Sequence, residues 1–210
     1  LQYHEVKVIL SHKVGTSLTS PTNQLWCDYI YLDTDERRRF AQVSHEYLIE
    51  QIQEQTWSSS STDLNFNHPV KELIMTLKTN FVFDGSSAVT NTTMAGSDVK
   101  LKLNGHDRFA GRDATYFTRT QVWQHHSGLG GLDCVGSATP TASAAKFLDS
   151  IGVYSFALKP EEHQPSGTCN FSRIDNAQLT GLGATCNTIF AVNYNVLRIM
   201  SGMGGLAYSN

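Results

Sequence analysis

The sequence predicts an all-β protein built from antiparallel strands, and three observations lead to this fold class. Apolar and polar residues alternate with a period of two in most segments that lie between turns. Ser, Thr, Asn and Gly are plentiful between those segments. Charged residues make up 17% of the 210 residues, below the roughly one quarter usual in a soluble domain. This balance is typical of a loop-rich β protein.

Predicted strands follow one another along the chain. The clearest is DVKLKLNG (98–105), in which Val99, Leu101 and Leu103 alternate with two lysines before an Asn-Gly turn. The opening segment LQYHEVKV (1–8) has the same pattern, and we expect the sequence to be a piece of a longer protein. The other predicted strands are LWCDYIYL (25–32), VKELIMTL (70–77), TNFVF (79–83), ATYFTRTQVW (114–123), VYSFALK (153–159), TCNFSRI (168–174) and TIFAVNYNVLRIM (188–200).

One segment, DTDERRRFAQ (33–42), departs from the alternation. Asp33 is placed to cap a first helical turn, and Glu36 three residues later completes a capping box. Acidic residues in a first turn are also favoured by the helix dipole. A short helix is therefore predicted. The next segment, HEYLIEQIQEQTW (45–57), fits either a helix or a strand, because its apolar residues satisfy both periods.

Two long segments between predicted strands are rich in Ser, Thr, Gly and Ala, namely Gly85 to Asp98 and Gly128 to Ala145. Loops of such length are uncommon in compact domains and usually carry surface function. The first contains the glycosylation sequon Asn91-Thr-Thr. A second sequon begins at Asn170, inside a predicted strand. Asn91 is therefore the possible glycosylation site.

The charge pattern excludes a sequence-wide grip on nucleic acid. The net charge is −3, and the basic residues are scattered, whereas phosphate binding needs a clustered positive surface. Only Arg37, Arg38 and Arg39 are consecutive, and the acidic residues before them indicate a solvated helix turn. No apolar run approaches the roughly 20 residues of a membrane-spanning helix. We expect no sequence-specific nucleic acid and no membrane span.

The stretch YSFALKPEEHQPSGTCNFSRIDN (154–176) contains an acid, a base and a nucleophile, and a catalytic interpretation has to be tested. Pro160 ends one strand, and Gln164 to Gly167 fits a β-turn with Pro at its second position. A strand, an exposed loop and a strand are therefore predicted, with no enclosed pocket to activate a nucleophile. The residues concerned are Glu161, Glu162, His163, Ser166 and Cys169.

The other candidate side chains also give no reaction. His125 and His126 are adjacent, so a strand would send their rings to opposite faces and hinder joint binding of a metal. His106 and Asp107 fit an acid–base pair, yet the preceding Asn-Gly favours a turn. The four cysteines form no CxxC pair, and common catalytic motifs are missing. We expect no catalytic, cofactor-binding or metal site, and therefore no enzyme.

Four long phrases of the sequence resemble a known family: HPVKELI (68–74), LKLNGHDRF (101–109), the stretch 154–176 and NYNVLRIMSGMGGLAYSN (193–210). Together they resemble the second half of the major capsid proteins of nucleocytoplasmic large DNA viruses. The resemblance covers most of the chain. YIYLDTDERRRFAQVSHEYLIEQ (29–51) resembles the connection between the two jelly rolls of the family.

The resemblance implies an all-β fold, an eight-stranded antiparallel jelly-roll sandwich that is the second of a double jelly roll, with a short helical connector and long surface loops. Residues 1–33 would be the terminal strands of the preceding jelly roll. Residues 34–44 would be the connector, and 45–210 the second jelly-roll domain. The two long loops would be the family's variable tower loops.

The resemblance also implies a structural function in the virion. Such chains form homotrimers, which act as pseudo-hexameric capsomers and tile an icosahedral shell over an internal membrane. The partners would be neighbouring capsomers and minor capsid proteins, and assembly would take place in the host cytoplasm. The alternative is a free-standing, lectin-like jelly-roll module, for which Trp123 and Tyr116 are candidate sugar-binding aromatics.

Overall fold

A computed structural model describes residues 5–10, 24–57, 61–77, 94–128, 149, 151–183 and 186–208. Ten strands are found within these residues. The long strands are β1 His45–Thr56, β3 Pro69–Leu77, β6 Ile151–Ser155 and β9 Cys186–Met200. The short strands are β2 Ser61–Asp63, β4 Lys100–Leu103, β5 His106–Asp107, β7 Cys169–Asn170, β8 Ala177–Thr180 and β10 Met203–Leu206.

The strands form two sheets. One has the order β1-β9-β3-β6, with β10 added to β9 and β7 added to β3; the other has the order β2-β8-β4-β5. β3 is antiparallel to β6, β7 and β9, and β8 is antiparallel to β2 and β4. The all-β prediction is confirmed. Each sheet contains a path of four strands, and neighbours such as β9 and β3 are distant in sequence, as in a jelly roll.

By its internal contacts the chain divides into two compact units. Leu1–Leu48 and Val196–Ser209 form the first unit, and the second consists mainly of Ile49–Asn195. The second unit contains the hydrophobic core, to which both sheets contribute. Its most deeply buried apolar side chains include Val70, Leu73, Met75, Leu101, Phe117 and Ile189.

The segment left open between helix and strand is strand β1. Its glutamines alternate along one face of the strand and bind polar groups of this unit. Gln53 accepts a hydrogen bond from the Asn67 N–H (3.0 Å) and donates one to the Asn193 side chain (3.0 Å). Gln51 accepts a hydrogen bond from the Asn195 side chain (2.9 Å). The period-two signal in this segment therefore reflects amide pairing as much as apolar burial.

The predicted hairpin at the end of DVKLKLNG is confirmed. Asn104 and Gly105 join β4 to β5 with φ angles of 52° and 81°. Two successive positive φ values are what a tight two-residue hairpin turn requires. The Asn104 side-chain oxygen also accepts hydrogen bonds from the N–H groups of Asp175 (3.0 Å) and Asn176 (3.2 Å). The turn therefore fixes the approach to β8 as well.

The strand predicted at 114–123 is wrong. A π-helix, Tyr116–Thr120, runs directly into an α-helix, α2, at Gln121–His125. The buried side chains, Phe117, Thr118 and Gln121, have helical rather than period-two spacing. Asp113 begins the segment by accepting hydrogen bonds from the N–H (3.0 Å) and hydroxyl (2.7 Å) of Thr115. Such a local side-chain bond favours a helical start over a strand.

Other strand predictions are partly wrong. Neither 25–32 nor the described part of 1–8 forms a strand. The strand predicted at 153–159 ends at Ser155, and that at 168–174 ends at Asn170, where a 3₁₀ helix, Phe171–Arg173, begins. The predicted strand 79–83, Asn91, most of the first long loop and nearly all of the second lie outside the described residues.

The short helix predicted after Asp33 is present as α1, Thr34–Gln42. Asp33 lies at its N-cap position, but its side chain makes no capping hydrogen bond, so the predicted capping box is wrong. Asp35 and Glu36 do lie in the first turn, where the helix dipole favours them. Among the described residues, no helix combines the length and the apolar character needed to cross a membrane.

Candidate functional site

The loop between β6 and β7 carries the candidate acid, base and nucleophile. Hydrogen bonds within the loop hold it closed. The Glu162 N–H donates to the Lys159 carbonyl (3.3 Å), which places Pro160 at the second position of a β-turn. The turn therefore lies at Lys159–Glu162 and not at Gln164–Gly167 as predicted. The Ser166 hydroxyl accepts a hydrogen bond from the Lys159 N–H (2.9 Å). Ser166 thus closes the loop and is not paired with a base.

A β-bulge in β3 places two charged residues beside this loop. Val70 pairs with Asn193 and Glu72 with Val192, so Lys71 is an extra residue opposite β9. The Lys71 carbonyl accepts hydrogen bonds from the N–H groups of Phe156 (2.9 Å) and Ala157 (3.2 Å). Lys71 and Glu72 are both buried.

His126 joins the bulge to the turn. Its Nε2 lies 2.9 Å from a Glu72 carboxylate oxygen, and its Nδ1 lies 3.2 Å from a Glu161 oxygen. The Ser127 N–H donates to both oxygens of Glu161, each at 3.0 Å. The Glu72 side chain is 8% exposed and that of Glu161 44% exposed. One imidazole thus contacts a buried and a solvated carboxylate.

Lys71, the other charged residue of the bulge, has partners of its own. The Lys71 ammonium donates to Glu50 on β1 at 2.6 Å and lies 5.5 Å from the centre of the Tyr194 ring. His163, from the loop, places Nδ1 3.8 Å from the same Glu50 oxygen. Glu50 is partly exposed and Lys71 almost completely buried. A buried lysine needs such a partner, because an unpaired buried charge is very costly.

The pKa values of the two carboxylates that contact His126 shift in opposite directions. Burial raises the pKa of Glu72 above its ordinary value, although His126 and Lys71 oppose the shift. The hydrogen bonds from Ser127 lower the pKa of Glu161. Acid–base groups therefore meet here, but the candidate nucleophiles take no part. Cys169 is half-buried, and burial raises the pKa of its thiol.

The predicted strand geometry of the two adjacent histidines is wrong, because His125 ends α2 and His126 follows it. The His125 Nδ1 lies 3.1 Å from the Leu158 carbonyl oxygen, on the side of the same loop. His106 and Asp107 lie exposed on β5. Within the described ranges, no three His, Cys, Asp or Glu side chains are grouped so that they could hold a metal ion.

A second buried carboxylate, Asp149, anchors the helical segment. Arg119 donates to both of its oxygens through Nε (2.8 Å) and Nη2 (2.7 Å), and the buried Thr118 hydroxyl donates at 2.7 Å. The Asp149 carbonyl accepts from the Met94 N–H (2.7 Å). The bond from Arg119 is the main cause of the lowered pKa of Asp149. This cluster holds structure in place and presents no group to a ligand.

The two aromatic candidates for sugar binding do not form a platform. The alternation of 114–123 predicts Trp123 in the core or between the sheets, but it lies on α2 and is 72% exposed, so this prediction is wrong. Tyr116 is partly buried: its hydroxyl accepts from the Gln121 side chain (2.8 Å), and the Arg112 guanidinium lies 5.2 Å from its ring centre.

The first unit offers a groove of about 900 Å³ beside α1. Phe40 stacks on His45 at 4.9 Å, and Arg37 and Arg38 also line the groove. The segment before the helix leaves large apolar side chains uncovered, with Trp26 87% exposed. Surface of this kind is typical of a protein contact.

The sequence patterns did not single out Lys71, Glu72 or Glu50 as site residues, and nothing in them connected these residues with His126 or His163. The available signal was the adjacent Lys-Glu pair inside the strand VKELIMTL, which breaks the period-two pattern just after Pro69. Charged neighbours at the start of a buried strand indicate a bulge that re-aims side chains.

Comparison with known proteins identifies the family. The model for "Large eukaryotic DNA virus major capsid protein" matches residues 36–182. The major capsid protein of Pyramimonas orientalis virus is 54% identical, over 100% of this chain and 56% of that protein. The major capsid protein of Paramecium bursaria Chlorella virus 1 (PBCV-1) is 39% identical, over 100% of this chain and 62% of that protein. The chain therefore spans about three fifths of the length of these relatives and corresponds to their C-terminal part.

A solved structure gives the same answer. A chain of a quasi-atomic model of the PBCV-1 virus capsid superposes with a TM-score of 0.66 and 35% identity, covering 87% of this chain and 56% of that one. The likeness confirms the predicted antiparallel jelly roll of a double jelly-roll protein. The relatives are structural capsid proteins and not enzymes. The chain belongs to the family of large eukaryotic DNA virus major capsid proteins.

Proposed function

We propose that this chain is the C-terminal part of a structural protein of a viral capsid. The observation that carries the proposal is its likeness, over 87% of its length, to a chain of the PBCV-1 virus capsid. The protein associates with itself as a homotrimer. Three copies make one pseudo-hexameric capsomer, and capsomers tile an icosahedral shell. Interfaces of this obligate kind bury about 2,000 Å² or more and are rich in apolar side chains.

The proposed partners are neighbouring capsomers and minor capsid proteins. The capsid lies over an internal membrane, and assembly takes place in the cytoplasm of the infected cell. No sequence-specific contact with nucleic acid is proposed, since the chain carries a net charge of −3 with scattered basic residues.

We propose the same domain division as the sequence indicates: 1–33 as terminal strands of an upstream jelly roll, 34–44 as the connector and 45–210 as the second jelly roll. The exposed apolar side chains of the described part of 1–33 support it: Leu25, Trp26, Tyr29, Ile30 and Tyr31. Covering such side chains stabilises a protein by about 1.5–3 kcal/mol for each large one. The upstream jelly roll would supply that cover.

Native mass spectrometry on the full-length polypeptide tests the assembly. A trimer is expected, and a stable monomer at micromolar concentration would contradict the proposal.

Amide hydrogen exchange on the 210-residue chain tests the domain division. Strong protection across both 1–10 and 25–32, in a soluble monomer without any upstream segment, would show that the boundary is misplaced.

We also propose Asn91 as a glycan acceptor, because its sequon lies in a predicted long loop. Intact mass of protein purified from virions should exceed the sequence mass, and Asn91→Gln should remove the difference. The sequon at Asn170 gives the matched control. Asn170 lies in β7 and accepts a hydrogen bond from the Ser172 N–H (3.1 Å), so Asn170→Gln should leave the glycan mass unchanged.

A further inference from the structure

The contacts of His126 require a particular protonation state. Both ring nitrogens face carboxylate oxygens, Nε2 towards Glu72 at 2.9 Å and Nδ1 towards Glu161 at 3.2 Å. A neutral imidazole has one N–H and one lone pair, whereas the imidazolium has two N–H donors. Only the charged ring can therefore donate to both carboxylates. With a neutral ring, one carboxylate faces a lone pair.

Several elements place charged or titratable groups around this ring. Strand β3 supplies Glu72 and Lys71, β1 supplies Glu50, and β9 supplies Tyr194. Lys71 and Glu50 form an ion pair of their own, whereas the buried Glu72 carboxylate lies 2.9 Å from the Nε2 of His126. The remaining groups belong to α2 and the loop: His125, Lys159, Glu161, Glu162 and His163.

The two carboxylates do not respond equally when the ring loses its proton. Glu72 is almost completely buried, and water cannot replace its 2.9 Å contact with Nε2, which is an ion-pair contact without the alignment of a hydrogen bond. The remaining N–H therefore stays on the Glu72 side. Glu161 is nearly half exposed, keeps the Ser127 N–H, and can be solvated. Deprotonation therefore breaks the Glu161 contact first.

We propose that His126 is a protonation-dependent clasp that fastens the turn Lys159–Glu162 to the bulge of β3. The charged ring holds the turn against the sheet. Loss of the ring proton frees Glu161 and loosens the turn. The surface carried by this loop, including the exposed Leu158, is then held less firmly. Burial raises the pKa of Glu72, and the nearby His126 opposes that shift.

Amide hydrogen exchange in the 210-residue chain, at about pH 6 and about pH 8, tests the clasp. Exchange is expressed relative to an unstructured peptide at the same pH, so the chemical effect of pH cancels. Protection across 158–166 should fall roughly two- to fivefold at the higher pH, the size of a partly exposed ion pair. His126→Gln and Glu161→Gln should each remove this pH dependence.

Two matched variants provide the controls. His125→Gln changes the adjacent histidine, which faces a backbone carbonyl, and Glu162→Gln changes the neighbouring glutamate, which pairs with Lys159. Both should keep the fall in protection. Equal protection at the two pH values, or loss of the pH dependence in His125→Gln as large as in His126→Gln, would overturn the proposal. If circular dichroism shows that His126→Gln does not fold, Glu161→Gln decides the question alone.

Discussion

The helical segment 116–125 and the bulge of β3 each depend on one buried carboxylate, and the two carboxylates are stabilised differently. Asp149 receives two hydrogen bonds from one guanidinium and a third from the Thr118 hydroxyl. Glu72 contacts the ring of His126 at 2.9 Å, but without the alignment of a hydrogen bond at that oxygen. The pKa of Asp149 is lowered and that of Glu72 is raised.

Both carboxylates are buried, and they differ in whether aligned donors offset the cost of that burial. Three aligned donors offset the cost of removing the Asp149 charge from water. Around Glu72, burial is the largest influence, and His126 and Lys71 only reduce it. Asp149 should therefore act as a stabilising anchor, while Glu72 should cost stability unless it has a role in positioning the loop.

The largest effect should come from removing the aromatic side chain that fixes the helical segment in the core. Phe117 is completely buried and packs against Phe109 (ring centres 5.7 Å apart) and Tyr154 (6.4 Å). Phe117→Ala should lower the free energy of unfolding by about 3–5 kcal/mol, through lost contacts and the cavity left behind. Equilibrium unfolding in urea measures this change.

Trp123 is the matched control, because it lies on the same helical segment but is mostly exposed. Trp123→Ala should change the free energy of unfolding by less than about 0.5 kcal/mol. A loss as large as that of Phe117→Ala would mean that Trp123 packs against a surface.

The next largest loss of stability should come from changing Asp149. Asp149→Asn keeps the size of the side chain but removes its charge. The two hydrogen bonds from the Arg119 guanidinium are therefore weakened. We expect a loss of about 2 kcal/mol at neutral pH, as for a hydrogen bond to a charged group. Urea unfolding should show it. A loss below about 0.5 kcal/mol would show that the three donors do not offset the burial of the charge.

Acid should abolish the same contribution. Because the folded-state pKa of Asp149 is lowered, its stabilisation is present above the ordinary carboxyl pKa and is lost as the pH falls through the folded value. The stability difference between the unmodified chain and Asp149→Asn should therefore be constant above about pH 5 and shrink below about pH 4. Other acidic groups titrate equally in both proteins and cancel. A difference that grows in acid would contradict the assignment.

The features that the sequence predicted correctly are those determined by neighbouring residues. Asn104 and Gly105 hold the β4–β5 turn with their own positive φ angles, and alternation alone is enough to predict the long strand β9. The helical segment was missed because β-branched and aromatic residues, as in YFTRT, favour strands in general. Here tertiary contacts prevail, since Thr118 and Arg119 bind Asp149 about 30 residues away.

The cluster at the bulge could not be predicted as a site, because its members are far apart in the sequence. Glu161 and His126 are 35 residues apart. The sequence placed Glu161 on an exposed loop, which is correct, but the loop's exposure concealed the contact of its carboxylate with a buried pair. Long-range pairing of this kind is set by topology, and periodicity carries no signal of it.

The smallest effect should come from neutralising Glu72, and its sign separates the two carboxylates. Glu72→Gln removes a charge that burial disfavours, while the amide keeps a side chain of nearly the same size beside His126. The free energy of unfolding at neutral pH should stay the same or rise by up to about 1 kcal/mol.

Because the folded pKa of Glu72 is raised, its favourable contribution is complete below the ordinary carboxyl pKa and is lost as the pH rises through the folded value. The comparison with the unmodified chain should therefore move in favour of Glu72→Gln as the pH rises above about 4, the ordinary carboxyl pKa. Glu54→Gln, at an exposed position of β1, should change nothing measurable. A loss of more than about 2 kcal/mol in Glu72→Gln at neutral pH would show that His126 and Lys71 hold this carboxylate as firmly as Arg119 holds Asp149.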